Sequence, residues 1–258
     1  MEFQRKKKVY EYLHHALINL RTGVVMNFER LPKNILAVFR ERKISTSTVV
    51  DILDGMGTGN VLTSKIRAIN GDEPYLVAQA YTVSWKMVRK GSDILQRQPS
   101  TWEQVKAFLV PELEYADGLV YVAGGGELIT EAALAGGMSC TYFEKMGFSG
   151  VILGGAVRDM KELKMLNMPV LASNPIPTDT QGAYLVAETG THCLIEHITV
   201  HSGDLIIVDA NGVAVVPASA IVEVMEKALA IDSTENTMLE KIRAGERLPE
   251  LINFTGRI

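Results

Sequence analysis

The 258 residues, 47% apolar and 22% charged, suffice for a buried core and exclude a disordered, collagenous or long coiled-coil chain. Lys and Arg total 26 against 30 Asp and Glu, a net charge of −4 that lacks the basic excess of a nucleic-acid binder. Two cysteines, Cys140 and Cys193, exclude a disulfide framework and a four-cysteine zinc site, and no uncharged run reaches the roughly 18 residues of a bilayer span.

The basic start, Met1 to Lys8, gives way to Tyr10, Glu11, His14 and His15, which interrupt any secretory apolar segment. A soluble cytoplasmic protein with no nucleic-acid or membrane partner is expected. Val9, Leu13, Ala16, Leu17 and Leu20 fall at helical spacing up to Gly23. A second helix is predicted from Pro32 to Arg42, and Ser45-Thr46-Ser47 offers N-caps for a third carrying Val49, Val50, Ile52 and Leu53. At Tyr75–Trp85 the period shortens to that of a strand. Gly91–Ser100 reads as a loop, Thr101–Tyr115 as a helix, Leu119–Ala123 as a buried strand and Glu127–Leu134 as a helix. The Gly136-Gly137 break precedes more helix to Lys145.

The apolar run Val151-Ile152-Leu153, the turn Gly154-Gly155, helical spacing from Arg158 to Leu166 and the strand starting Pro169-Val170-Leu171 together predict a right-handed strand–helix–strand crossover. A loop spans Asn174–Gly182. Strands follow at His192–Val200, Leu205–Val208 and Val213–Val216, with turns at Gly203-Asp204 and Asn211-Gly212. A last helix starts near Ala218, with Ile221, Val224, Met225, Ala228 and Leu229 on one side. The class is α/β. The chain reads as one domain with additions: a helical extension at 1–40, a main domain at 41–235 and a helical tail at 236–258.

Three motifs could carry chemistry. His192, His197 and His201, five and four residues apart in a strand-rich stretch, do not share one face, and no histidine site is expected. Ala123-Gly124-Gly125-Gly126-Glu127 supplies the first two glycines of a dinucleotide fingerprint, but Ile129 stands at the third. A methyltransferase-like loop and a tight turn with close backbone approach are the other readings of that cluster. The third motif, Arg158-Asp159-Met160-Lys161-Glu162, follows a buried strand, where open α/β sheets bind ligands. Asp159 and Glu162, three apart on a helix, present two hard oxygen donors of the kind Mg²⁺ or Mn²⁺ accepts. The Arg158 fork suits a carboxylate. The structural alternative is that Asp159 caps the helix while Arg158 makes a surface ion pair.

Gly154-Gly155-Ala156-Val157-Arg158-Asp159-Met160-Lys161-Glu162-Leu163 closely resembles the signature of the RraA-like family, which includes 4-hydroxy-4-methyl-2-oxoglutarate / 4-carboxy-4-hydroxy-2-oxoadipate aldolases. That signature is a glycine, a spacer of about twenty residues, then Arg-Asp, two residues and an acid; Gly136 and Gly137 stand at the upstream position. Ser45–Asp54, Val77–Val83 and Gly203–Val213 also resemble family segments, so the resemblance covers about residues 40 to 235.

The resemblance implies a swivelling β/β/α fold, a homotrimer or hexamer with sites between subunits, and a divalent-metal lyase using Mg²⁺ or Mn²⁺. Its substrate would be a small 2-keto acid, a 4-hydroxy-2-oxo acid cleaved to pyruvate, with oxaloacetate decarboxylation as a companion activity. By position, Asp159 would reach the metal directly and Glu162 through water. Arg158 and the amides around Gly136, Gly137, Met138 and Ser139 would bind substrate. Many members carry an acid directly after the upstream glycine; if that glycine is Gly136, Gly137 replaces it here. The family also contains a non-catalytic regulator that binds a ribonuclease, and its motif lacks the Asp that Asp159 supplies.

Overall fold

The structure is a computed structural model that describes residues 28–58, 60–71, 74–88 and 101–255. Helices α1 (Lys33–Arg42) and α2 (Thr46–Gly55) lead into strands β1 (Arg67–Ala68) and β2 (Leu76–Met87). Helix α3 (Trp102–Val105) precedes β3 (Leu119–Gly124), β4 (Ile129–Ala135) and α4 (Gly137–Met146). Next come β5 (Val151–Leu153), β6 (Gly155–Val157), α5 (Met160–Leu163), β7 (Val170–Ala172) and β8 (Tyr184–Thr189). The chain continues with β9 (His192–Ile195), β10 (Ile198–His201), β11 (Leu205–Asp209), β12 (Gly212–Val216), α6 (Ile221–Arg243) and α7 (Leu248–Thr255).

Alternation at period two organises the centre. Tyr81, Val83, Tyr121, Leu153 and Val170 enter one core, whereas Ala78, Ala80, Val122, Ile152 and Leu171 enter another, so the sheet is buried on both faces. Its order is β1-β7-β5-β3-β2-β11-β12, with β8 also pairing β2. The steps from β2 through β3 and β5 to β7 are parallel; the remaining pairs are antiparallel. The β9–β10 hairpin covers one face through Cys193, Ile195, Ile198 and Val200. A third core joins α1, α2 and α6 to Val77, Leu205, Ile207, Ala214 and Val216. Ser45 caps α2 by accepting the Thr48 N–H at 3.1 Å. Helix α6 runs unbroken across residue 235.

Several elements differ from expectation. Glu127–Leu134 is strand β4 rather than helix, because it pairs in parallel with β6, itself read as a turn, in a separate two-stranded sheet. The Thr101–Tyr115 helix shrinks to α3 and a 3₁₀ turn (Lys106–Leu109). It stops at Val110, whose φ of 47° lies outside the helical region that the following Pro111 disfavours. The Arg158–Leu166 helix contracts to α5 because Asp159, at φ 64°, is left-handed. His192–Val200 is a hairpin turning at Glu196 (φ 51°), and β8 was not expected. The helix carrying His14 and His15 and the Gly91–Ser100 loop lie outside the described residues. Among the described residues no helix is long and apolar enough to cross a membrane.

Candidate active site

Strands β4 and β6 run parallel and end together. Ala135 lies opposite Val157, and the Arg158 N–H donates to the Ala135 carbonyl at 3.1 Å. The segments that follow the two strands, Gly136-Gly137-Met138-Ser139 and Arg158-Asp159, therefore emerge side by side. Residues distant in sequence meet because two short strands end at one pair, Ala135 and Val157, after an irregular register.

Asp159 occupies the left-handed region at φ 64°, ψ 52°, which a short polar side chain tolerates better than most. Its Oδ2 accepts the Gly137 N–H at 2.9 Å and lies 3.8 Å from Arg158 Nε. Among the described residues no donor reaches its Oδ1. The fit leaves no room for a side chain on either glycine. A Cβ on Gly136 would lie 2.5 Å from Asp159 Oδ2, and one on Gly137 would lie 2.6 Å from Glu162 Cβ and 3.1 Å from Asp159 Cβ.

Gly137 opens the ten-residue helix α4, so the positive end of its dipole faces the same spot. Within this helix the Cys140 N–H donates to the Gly136 carbonyl at 2.9 Å, while the Met138 and Ser139 amides have no acceptor among the described residues. The Ser139 hydroxyl accepts the Gly136 N–H and donates to the Gly136 carbonyl, at 2.9 and 3.0 Å, which fixes the turn. Helix α4 ends at Gly147 (φ 92°) and is anchored by Phe143, stacked on Tyr121 with centroids 4.4 Å apart.

These groups open onto a cleft of about 740 Å³, within the usual size of a small-molecule site. Gly136, Met138, Ser139, Arg158 and Asp159 line it, together with Asp179. Gly137 and Glu162 do not line it; the two carboxylate side chains instead flank Gly137. Asp179 faces Arg158, with Nη1 and Oδ2 3.5 Å apart, and is held by the Gln181 N–H at 2.6 Å. Both ends of the Arg158–Asp159 pair are partly open to water, so the pair itself contributes little stability.

Among the described residues no group of three or more His, Cys, Asp or Glu side chains is placed to hold a metal ion. Of the two expected carboxylate donors, Asp159 lines the cleft and Glu162 does not; Mg²⁺, which keeps much of its water, is often held by only one or two carboxylates. The open Oδ1 of Asp159 fits that use. Burial pushes the Cys140 thiol up to about 12, which removes it as a nucleophile. His192 and His201 face each other across the β9–β10 hairpin with rings 5.9 Å apart, and neither they nor His197 line the cleft. The glycine cluster has a packing role: a Cβ on Gly124 would lie 2.4 Å from the Leu194 carbonyl oxygen.

A family model described as RraA-like, Aldolase/RraA, matches residues 46–215. The chain belongs to the RraA-like family. An uncharacterized Methanocaldococcus jannaschii protein is 27% identical over 214 residues, 82% of this chain and 97% of that protein. A Halalkalibacterium halodurans protein with the proposed name 4-hydroxy-4-methyl-2-oxoglutarate aldolase is 27% identical over 187 residues, 72% of this chain and 79% of its own. The solved structure of Streptomyces coelicolor RraAS2, described as an unusual member of the RNase ES inhibitor RraA protein family, superposes with a TM-score of 0.65 at 20% identity. The match covers 83% of this chain and all of RraAS2, and places the chain in the RraA-like fold.

For an RraA-like chain, two features of the cleft escaped the sequence reading. Asp179 sits in a loop with no spacing relation to Arg158, and it arrives there because the Ala133 N–H bonds to the Thr178 carbonyl at 2.9 Å. The aromatic wall of Trp102, Phe108 and Tyr142 combines segments read only as helices. No local pattern announced either.

Proposed function

We propose that this RraA-like protein is a divalent-metal-dependent carbon–carbon lyase that cleaves a 4-hydroxy-2-oxo acid to pyruvate and also decarboxylates oxaloacetate. The observation that carries this reading is the convergence of Arg158, the open oxygen of Asp159 and the two uncommitted amides of Met138 and Ser139 on one cleft. A proposed aldolase name on the Halalkalibacterium halodurans relative is consistent with it.

In this reading Asp159 would hold Mg²⁺ or Mn²⁺, with Glu162 as the second acid of the motif supporting it. The ion, when bound, supplies Lewis acidity toward a 2-oxo carboxylate head. Arg158 donates charged hydrogen bonds to that carboxylate, each worth roughly 1.5–3 kcal/mol. The Met138 and Ser139 amides, at the positive end of α4, receive the developing negative charge. The Gly137 N–H fixes the rotation of the Asp159 carboxylate. In the cleavage the C3–C4 bond breaks, its electron pair passes to C3 and the 2-oxo oxygen, and the C4 hydroxyl loses its proton to become a carbonyl. Decarboxylation of oxaloacetate breaks the corresponding bond, with CO₂ leaving in place of the carbonyl product.

The test is a coupled pyruvate assay with Mg²⁺ or Mn²⁺, with and without a chelator. Pyruvate release above the metal-only blank is expected, and Asp159→Ala should lower turnover by about 100-fold, as other losses of transition-state electrostatics do. No release from oxaloacetate or any 4-hydroxy-2-oxo acid would remove the reading. A pull-down that recovered an RNA-decay complex with an inactive protein would favour the regulator alternative instead. The working form is proposed to be a homotrimer or a hexamer, with the site near the contact between copies.

A further inference from the structure

We propose that Asp179 is a positioning residue that holds the Arg158 guanidinium in place for the carboxylate head of a 2-oxo acid. This rests on the reading of Arg158 as the group that grips that head. Asp159 Oδ2 lies 3.8 Å from Arg158 Nε, and Asp179 Oδ2 lies 3.5 Å from Nη1. The two carboxylates therefore bracket the guanidinium from different edges. Both separations exceed that of a full hydrogen bond, so charge orients the fork without consuming its N–H donors. A long side chain that is 37% exposed loses rotamer freedom when a ligand docks on it, and bracing it beforehand lowers that cost.

Backbone pairing fixes Asp179 to the two strands that carry the site. The Val157 N–H donates to the Asn174 carbonyl and the Ile176 N–H to the Val157 carbonyl, both at 2.9 Å, which ties the loop to β6. The Ala133 N–H then donates to the Thr178 carbonyl at 2.9 Å, which ties it to β4. Parallel bridges pair Val157 with Pro175 and Ala133 with Asp179. Asp179 is thus held in the same frame as Arg158 and Gly136, which follow those strands. Gln181 fixes its carboxylate, the backbone N–H donating to Oδ1 at 2.6 Å and the side-chain amide to Oδ2 at 3.4 Å. Just beyond, the Tyr184 N–H donates to the Thr180 carbonyl at 2.9 Å, and the Tyr184 hydroxyl donates to Glu131 on β4. Asp179 acts through Arg158 and not on the reacting carbons. Without its charge the fork can turn, and a misplacement of about 1 Å can cost roughly 100-fold.

Oxalate, an uncleavable mimic of the 2-oxo acid head, is the probe, measured by calorimetry on the full chain with Mg²⁺. Asp179→Asn keeps an acceptor for the Gln181 N–H and removes the charge; it should weaken oxalate binding about tenfold, within the range that misplacement costs. Asp179→Glu keeps the charge and should recover most of that loss. Asp179→Ser, which also offers the Gln181 N–H an acceptor, replaces the asparagine variant should that one not fold. The control is Arg158→Lys, a point charge with no fork to orient. Arg158→Lys combined with Asp179→Asn should bind oxalate within about twofold of Arg158→Lys alone, whereas independent losses multiply. Losses that multiply, or oxalate binding that is unchanged or tighter in Asp179→Asn, overturn the positioning role and leave the head site standing. If the unaltered chain does not bind oxalate, the head site is wrong and the inference falls with it. Oxalate binding with no pyruvate release from any substrate removes the lyase reading alone, and the variants still decide the role of Asp179.

Discussion

At Gly137 one added methyl group would touch the stems of both acidic side chains at once. Its Cβ would lie 2.6 Å from Glu162 Cβ, 3.0 Å from Glu162 Cγ and 3.1 Å from Asp159 Cβ, and neither β-carbon can swing aside because each is fixed to backbone. Gly137→Ala should therefore push Asp159 and Glu162 apart. Losing the support of metal-ligating side chains typically costs about 10–100-fold in metal affinity. Manganese binding followed by electron paramagnetic resonance should weaken by that order, with an unchanged far-ultraviolet circular dichroism spectrum; unchanged affinity would count against the two-carboxylate site. At this scale the sequence was informative where a spacing encodes contact. Arg158, Asp159 and Glu162 are close in the chain, and their proximity could be read from it. Asp179 is not, and only the pairing of the Thr178 carbonyl with Ala133 brings it to Arg158.

The elements that place the site were the hardest to read. Ala132, Ala133 and Ala135 favour a helix by propensity, yet the segment is strand β4 because β6 lies beside it. Gly154-Gly155 signalled a turn, whereas Gly155 begins β6, with its missing Cβ facing the Ile129 carbonyl at 2.6 Å. By contrast α2, α4 and α6 were legible from caps, glycine stops and helical spacing, and the central strands from β-branched runs. Helix α4 is the element on which the amide donors depend, and Phe143 is its anchor, fully buried between Tyr121 and Phe148. Phe143→Ala should cost about 3–5 kcal/mol of stability, the usual range for an excavated aromatic. Urea denaturation followed by fluorescence measures it. A cost well below that range would mean that α4 is held chiefly by its backbone contacts.

For the molecule as a whole, the α/β class followed from the alternation of helix-like and strand-like stretches, and the structure bears it out with a sheet buried on both faces among three cores. What a single chain leaves uncovered is equally telling. Met138 is 86% exposed beside the cleft, and Met165, whose N–H bonds to the Glu162 carbonyl at 3.0 Å, is 76% exposed on the next turn. Covering a methionine side chain is worth roughly 1.5–3 kcal/mol, so Met138 beside the cleft and Met165 after α5 are positions where a neighbouring copy would gain stability. Sedimentation equilibrium should return three or six times the 28.3 kDa chain mass. Replacing both methionines, Met138→Glu with Met165→Glu, should place like charges at the contact and shift the population toward single chains without altering circular dichroism. A wild-type protein that sediments as one chain at tens of micromolar would instead mean that these methionines meet solvent in the working molecule. The cleft would then be complete within each copy, with its aromatic wall reachable only by what diffuses into it.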